Sequence, residues 1–210
     1  PSGQGAWPAF WMLPTDEVYG GWPKSGEIDI VEAVNLKTVN AEGVAEANVY
    51  GTVHYGRDFP NNESSGKAYL LPDNINPADD FHTYAIEWQE GEIRWYVDGY
   101  LYQTQMASEV RYNSRGEAIG LSHRGWFAEY FNIATGELET QWNAAPFDQR
   151  FYLIMNLAVG GNWPENVNNL GIDAEAFADG QTLEVDWVRV YQCQANVNTG
   201  KGCETIRDGY

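Results

Sequence analysis

The stretch Phe81-His82-Thr83-Tyr84-Ala85-Ile86-Glu87-Trp88-Gln89-Glu90-Gly91-Glu92-Ile93-Arg94-Trp95-Tyr96-Val97-Asp98-Gly99 decides the fold class. Tyr84, Ile86 and Trp88 alternate with Thr83, Ala85 and Glu87, and Ile93, Trp95 and Val97 alternate with Arg94 and Tyr96. A period of two belongs to strands with one buried face. Asp98-Gly99 tolerates the positive φ of a type I′ turn, and Glu90-Gly91 suggests a second tight turn. With 100–105 following, the segment reads as three antiparallel strands at 82–89, 92–97 and 100–105.

The same texture extends outward. Short β-rich runs at 27–34, 48–55, 151–159 and 182–192 are separated by Gly, Pro, Asn and Asp clusters, and helical periodicity is weak. Residues 59–65 and 111–143 are expected as long surface loops, the second carrying Trp126, Phe127, Tyr130, Phe131 and Trp142. The expected architecture is an all-β antiparallel sandwich over residues 1–192, with a polar, irregular tail at 193–210.

Composition narrows the partners. The 210 residues suffice for one domain with a real core, and 43% hydrophobic content excludes a disordered chain. No run of eighteen apolar residues offers a membrane span. Thirty acidic against 12 basic residues give a formal net charge of -18. Such a chain repels nucleic acid and sulfated or uronic polymers, so an uncharged partner is favoured; alternatively the charge serves solubility alone. Nine Trp, 13 Tyr and 8 Phe exceed what a core needs, and aromatic faces stack on pyranose rings. Cys193 and Cys203 are expected to form a local disulfide contributing about 2–3 kcal/mol, which suits an oxidising, extracellular setting; two free thiols are the alternative. The chain opens at Pro1 without Met or a signal-peptide pattern, as a processed or trimmed piece would.

The chemistry concentrates in Gly26-Glu27-Ile28-Asp29-Ile30-Val31-Glu32. Three carboxylates interrupt a run that otherwise reads as a buried strand, where unpaired charge costs several kcal/mol. Glu27 and Asp29 share a face, but Glu32 is out of phase and would point into the core. A β-bulge near Ile30-Val31 restores the phase and puts all three on one face. Two such Glu residues suit a retaining glycosidase, one as nucleophile and one as acid/base. A solvent-facing acidic strip and a carboxylate cage for a divalent cation remain open alternatives. There is no Gly-x-Ser-x-Gly elbow and no zinc His pair.

With its two residues between Asp29 and Glu32, this run resembles the signature of glycoside hydrolase family 16. The longer form is similar to that of its laminarinases (endo-β-1,3-glucanases) and some agarases and carrageenases. Trp7-Pro8-Ala9-Phe10-Trp11-Met12-Leu13-Pro14, Trp22-Pro23, Gly51-Thr52-Val53-His54-Tyr55-Gly56, Trp95-Tyr96-Val97-Asp98-Gly99, Gly160-Gly161-Asn162-Trp163-Pro164 and Val185-Asp186-Trp187-Val188-Arg189-Val190-Tyr191 resemble further family segments in order.

The resemblance implies a concanavalin A-like β-jelly-roll sandwich with a cleft across its concave sheet. It implies an endo-acting, retaining hydrolase of neutral β-glucan, with Glu27 as nucleophile, Asp29 supporting it and Glu32 as acid/base. Trp7, Trp11 and Trp22 would line the cleft, though each also has a core role open to it. His54 would sit near the centre, Asn156 would bind sugar hydroxyls, and Trp163 would close one end or simply pack. Asp186 matches a ligand of the family's structural Ca²⁺, and no cofactor is implied for catalysis. A secreted monomer is expected. The family's first strands precede the Trp7–Pro14 segment, so those N-terminal strands are expected to be missing. Agarose, carrageenan and mixed-linkage glucan are alternative substrates, and a non-catalytic glucan-binding protein is the alternative from another class.

Overall fold

Strict alternation decides which way each strand faces. The computed structural model describes residues 1–205. In chain order these form β1 (Ala6–Pro14), β2 (Glu27–Glu32), β3 (Asn48–Tyr55), β4 (Glu63–Leu70), β5 (Tyr84–Gln89), β6 (Glu92–Val97), β7 (Tyr100–Met106), β8 (Glu109–Tyr112), β9 (Ala118–His123), β10 (Ala128–Asn132), β11 (Glu137–Gln141) and β12 (Phe151–Val159), then the short helix α1 (Asn162–Asn166). Along β3, Val49, Gly51, Val53 and Tyr55 are buried while Asn48, Tyr50, Thr52 and His54 are half-buried on the other face.

Five strands pair in the order β12-β1-β2-β3-β4, and β5-β6-β7 form the expected meander. Every strand pair is antiparallel. The two sheets pack face to face, as expected of a sandwich. Ile28, Val49 and Val53 from one sheet meet Ile93, Trp95 and Val97 from the other, and Trp126 and Phe127 complete the cluster. Trp95 ties the layers together, its indole N–H donating to the Asp29 carbonyl at 2.8 Å. Gly51 lies beneath that indole, where a Cβ would overlap Trp95 and the Tyr102 hydroxyl.

Three expectations need correcting. Residues 182–192 alternate like a strand but pair with no strand among the described residues. Their backbone finds no ladder, and Val190 and Tyr191 stand 81% and 82% exposed. The 111–143 region is not one loop. It holds the hairpins β8–β9 and β10–β11, because Trp126 and Phe127 bury completely and anchor the chain between them. Residues 59–65 likewise enter β4 at Glu63, an edge strand polar enough to read as a loop.

Between the back of the large sheet and 182–188 lies an apolar cavity of about 540 Å³, lined by Phe10, Val31, Met155, Leu183, Val185 and Trp187. Cys193 and Cys203 are disulfide-bonded, with Cα atoms 5.6 Å apart. The tail lies against the β5–β6 turn, where the Glu90 N–H donates to the Thr199 carbonyl at 2.7 Å. Residues 206–210 of the expected tail lie outside the described residues.

Candidate active site

Gly26 turns the chain into β2 at φ +88, and a Cβ there would sit 2.7 Å from the Phe147 ring. From that turn β2 pairs with β3 as Glu27 to His54, Ile28 to Val53 and Asp29 to Thr52, and then slips, so that Glu32 faces Tyr50. Two residues, Ile30 and Val31, oppose the single Gly51. The bulge expected there is present, and β1 registers the same slip between Phe10 and Trp11. It brings Glu32 onto the face that already carries Glu27 and Asp29.

Each outer carboxylate is held by an indole. Trp22 Nε1 donates to Glu27 Oε2 at 2.6 Å, and Trp7 Nε1 donates to Glu32 Oε1 at 2.9 Å. His54 Nε2 lies 3.6 Å from Glu27 Oε1 and 3.4 Å from Asp29 Oδ2. Asp29 is only 2% exposed, and its Oδ2 is buried without a hydrogen bond. Trp11 Nε1 donates to Asn156 Oδ1 at 2.7 Å, which leaves the Asn156 amide N–H groups for a ligand. Trp163 stands edge-on to Trp7 at 5.5 Å and to Tyr50 at 4.9 Å. Glu165 ties down the loop before it, accepting from the Gly161 N–H at 2.7 Å.

Three carboxyls so close cannot all ionise. Burial, then the charge of Glu32, pushes Asp29 well above the usual carboxylate range. Burial and the charge of Asp29 push Glu27 up to about 8, against the opposing pull of His54 and the Trp22 indole. Burial also raises Glu32, against the Trp7 indole and His54. Asp29 has the least solvent and no N–H donor, so it is the natural holder of a shared proton.

The sign of the pH dependence follows. From the ordinary carboxylate range up to about 8, the folded state binds more protons than the unfolded one, so stability falls as pH rises. Melting temperatures at pH 5 and pH 8 should therefore show a larger loss in the parent than in Asp29→Asn. Equal losses would show that the cluster is not the cause.

Glu27, Asp29 and His54 also place one donor atom each within 4.8 Å of one another, a mixed set better suited to a transition metal than to Ca²⁺. Asp186 is elsewhere, on the unpaired 182–192 segment beside the apolar cavity. Among the described residues, no group of three His, Cys, Asp or Glu donors gathers around it.

The chain matches the model of glycosyl hydrolases family 16 over residues 1–144. It belongs to that family. Among characterised relatives of this family 16 chain, glucan endo-1,3-beta-glucosidase A1 of Niallia circulans is 39% identical over 194 residues, 92% of this chain and 23% of that protein. Beta-glucanase of Rhodothermus marinus is 38% identical over 194 residues, 91% of this chain and 54% of that protein. The X-ray structure of the laminarinase from Rhodothermus marinus superposes with a TM-score of 0.56 at 38% identity, covering 84% of this chain and 56% of that one. The family 16 jelly-roll sandwich is thereby the fold of this chain, which spans between 23% and 54% of the length of these two curated relatives.

Sequence reasoning missed Tyr50, Thr52 and Phe59. Tyr50 and Thr52 stand opposite Glu32 and Asp29, and Phe59 lies 6.1 Å from Trp22. Counting back by two from His54 along β3 would have found the first two.

Proposed function

We propose that the protein cleaves β-1,3-glucan such as laminarin, within the chain and with retention of anomeric configuration. One observation carries this: the bulge aligns Glu27 and Glu32 on one face, each fixed by its own indole donor. The kinship with the endo-1,3-beta-glucosidase of Niallia circulans and the laminarinase of Rhodothermus marinus supports the linkage, and the net charge of -18 favours an uncharged polymer.

In the first step, Glu32 gives its proton to the glycosidic oxygen while the Glu27 carboxylate attacks the anomeric carbon. The C–O bond breaks, one sugar segment leaves as an alcohol, and a glycosyl ester forms on Glu27. In the second step, Glu32 takes a proton from water, the hydroxide attacks the anomeric carbon, and Glu27 departs as carboxylate. Asp29 keeps its proton throughout, directing it at the Glu27 carboxylate before attack and again as Glu27 departs in the second step. Trp11 and Trp22 offer faces to the sugar rings, and Asn156 offers its amide.

The reaction uses no metal. A structural Ca²⁺ at Asp186 would need backbone oxygens for most of its shell, since side-chain donors do not collect there among the described residues. The Cys193–Cys203 bond fits an extracellular protein.

Incubation with laminarin, agarose and mixed-linkage glucan, with products resolved by size, tests the proposal. A ladder of short oligosaccharides from laminarin is expected. Its absence, with a ladder from agarose, would overturn the linkage; no ladder at all would overturn hydrolysis.

Trp7→Phe separates the role of the indole from that of the ring. The indole N–H favours the charged form of Glu32, so its loss lets the acid keep its proton to higher pH. The alkaline limb of kcat/KM should move upward while kcat falls about tenfold. An unmoved limb would detach Trp7 from the proton donor.

A further inference from the structure

The cleft has two banks. Trp22, His54 and Phe59 stand at the Glu27 end, and Trp7, Tyr50 and Trp163 stand at the Glu32 end. A scissile bond must be flanked by both carboxylates. The polymer therefore passes between the banks, across the strands, along the row Ile154, Trp11, Asp29, Thr52 and Gly66. Gly66 leaves one end of that row without a side chain.

Beside the Glu27 bank lies a separate pocket of about 230 Å³, lined by Lys24, Arg57, Asp58, Asn61, Glu129 and Leu138. Lys24 is two residues past Trp22, and Asp58 precedes Phe59, so the pocket and the bank are built from the same two loops. Its outer wall is the β10–β11 hairpin, docked on the end of β3 by the Glu129 N–H donating to the Gly56 carbonyl at 3.0 Å.

The charges of the pocket cancel in pairs. Lys24 meets Asp58 at 2.9 Å, and Arg57 meets Glu129 at 2.9 Å while its guanidinium caps the Phe127 ring at 5.1 Å. In a chain of net charge -18 this is a neutral spot, and Tyr130 and Phe131 add aromatic surface to its paired charges. Such a lining suits hydroxyl groups rather than an ion. Its volume falls below the roughly 300–1,000 Å³ of pockets for drug-sized ligands, so one sugar ring is the natural occupant and a run of them is not.

We propose that this pocket receives a single neutral glycosyl branch leaving the main chain sideways, so that the protein prefers branched over linear β-1,3-glucan. The inference rests on the proposed function. It makes Asn61, Arg57 and the hairpin determinants of specificity rather than of chemistry.

The test compares kcat/KM for a linear β-1,3-gluco-oligosaccharide with that for the same backbone carrying one β-1,6-glucosyl substituent. The parent should show the higher kcat/KM on the branched substrate. Leu138→Trp, which fills the pocket from an exposed position, should lower the branched-to-linear ratio at least tenfold. Asn61→Ala adds no bulk and should lower it about threefold, so it carries the test if the hairpin shifts in the first variant. An unchanged ratio in both variants, or a parent that cleaves the linear substrate as well as the branched one or better, overturns the pocket while leaving glucan hydrolysis standing. A parent that cleaves neither substrate overturns the proposed function and this inference with it.

Discussion

Glu27→Ala is expected to lower laminarin hydrolysis by about four orders of magnitude or more, the scale seen when a nucleophile is removed. Glu32→Ala should lower it comparably on laminarin, yet far less on an aryl glucoside whose leaving group needs no proton. Azide separates the two roles. In Glu27→Ala it occupies the space of the missing carboxylate, attacks the anomeric carbon from that side and displaces the leaving group, giving an α-glycosyl azide. In Glu32→Ala it attacks the glycosyl ester from the opposite side and gives a β-glycosyl azide. The measurement is the anomeric configuration of each product. Swapped configurations would exchange the two roles; unimpaired hydrolysis in either variant would remove that residue from the reaction.

The second large effect is expected at a residue that touches no substrate. Gly51 faces the bulge, and an added methyl would collide with Trp95, which is fully buried. Gly51→Ala should cost about 1–3 kcal/mol, the usual range for overpacking. For a domain of this size that corresponds to a fall in melting temperature of roughly 2–12 °C. Activity should fall as well, because Trp95 also holds the Asp29 carbonyl, and any shift of the indole moves the strand that carries the carboxylates. Retained stability and retained rate together would mean that the bulge is not braced by this contact. Loss of stability with full activity at low temperature would mean that the brace does not reach the site.

The sandwich was legible where strands bury one face. Residues 48–55, 92–97 and 151–159 are strands with the expected limits, because alternating Val, Ile and Trp leave little other choice. β1 was recognised as a family segment rather than as a strand, since Pro8 and Pro14 argue against a central position. β4 escaped because an edge strand can be polar, and β8 to β11 because such short strands in two-stranded hairpins need no regular apolar stripe. Residues 182–192 erred in the other direction. Pattern records what a segment could pair as, and pairing also needs a partner strand.

The carboxylate face was legible to a finer degree than the fold. Phase alone required the bulge, since otherwise Glu32 would have pointed into the core. The indole donors on Glu27 and Glu32 were not legible, because they depend on how the Trp22 loop and β1 fold over β2. The paired charges around Arg57 were likewise hidden, since Glu129 is 72 residues away in the chain.

The apolar cavity beside 182–188 sets a condition on handling the chain. Leu153, Met155, Val185 and Trp187 leave an oily band on the side away from the cleft, and two such bands would cohere if they met. Self-repulsion at net charge -18 opposes that contact. That repulsion reaches about 30 Å in 0.01 M salt but only about 3 Å in 1 M salt, while the cohesion hardly weakens. The chain is therefore expected to stay dispersed in dilute buffer and to associate through this band as salt rises, which light scattering across a salt series checks.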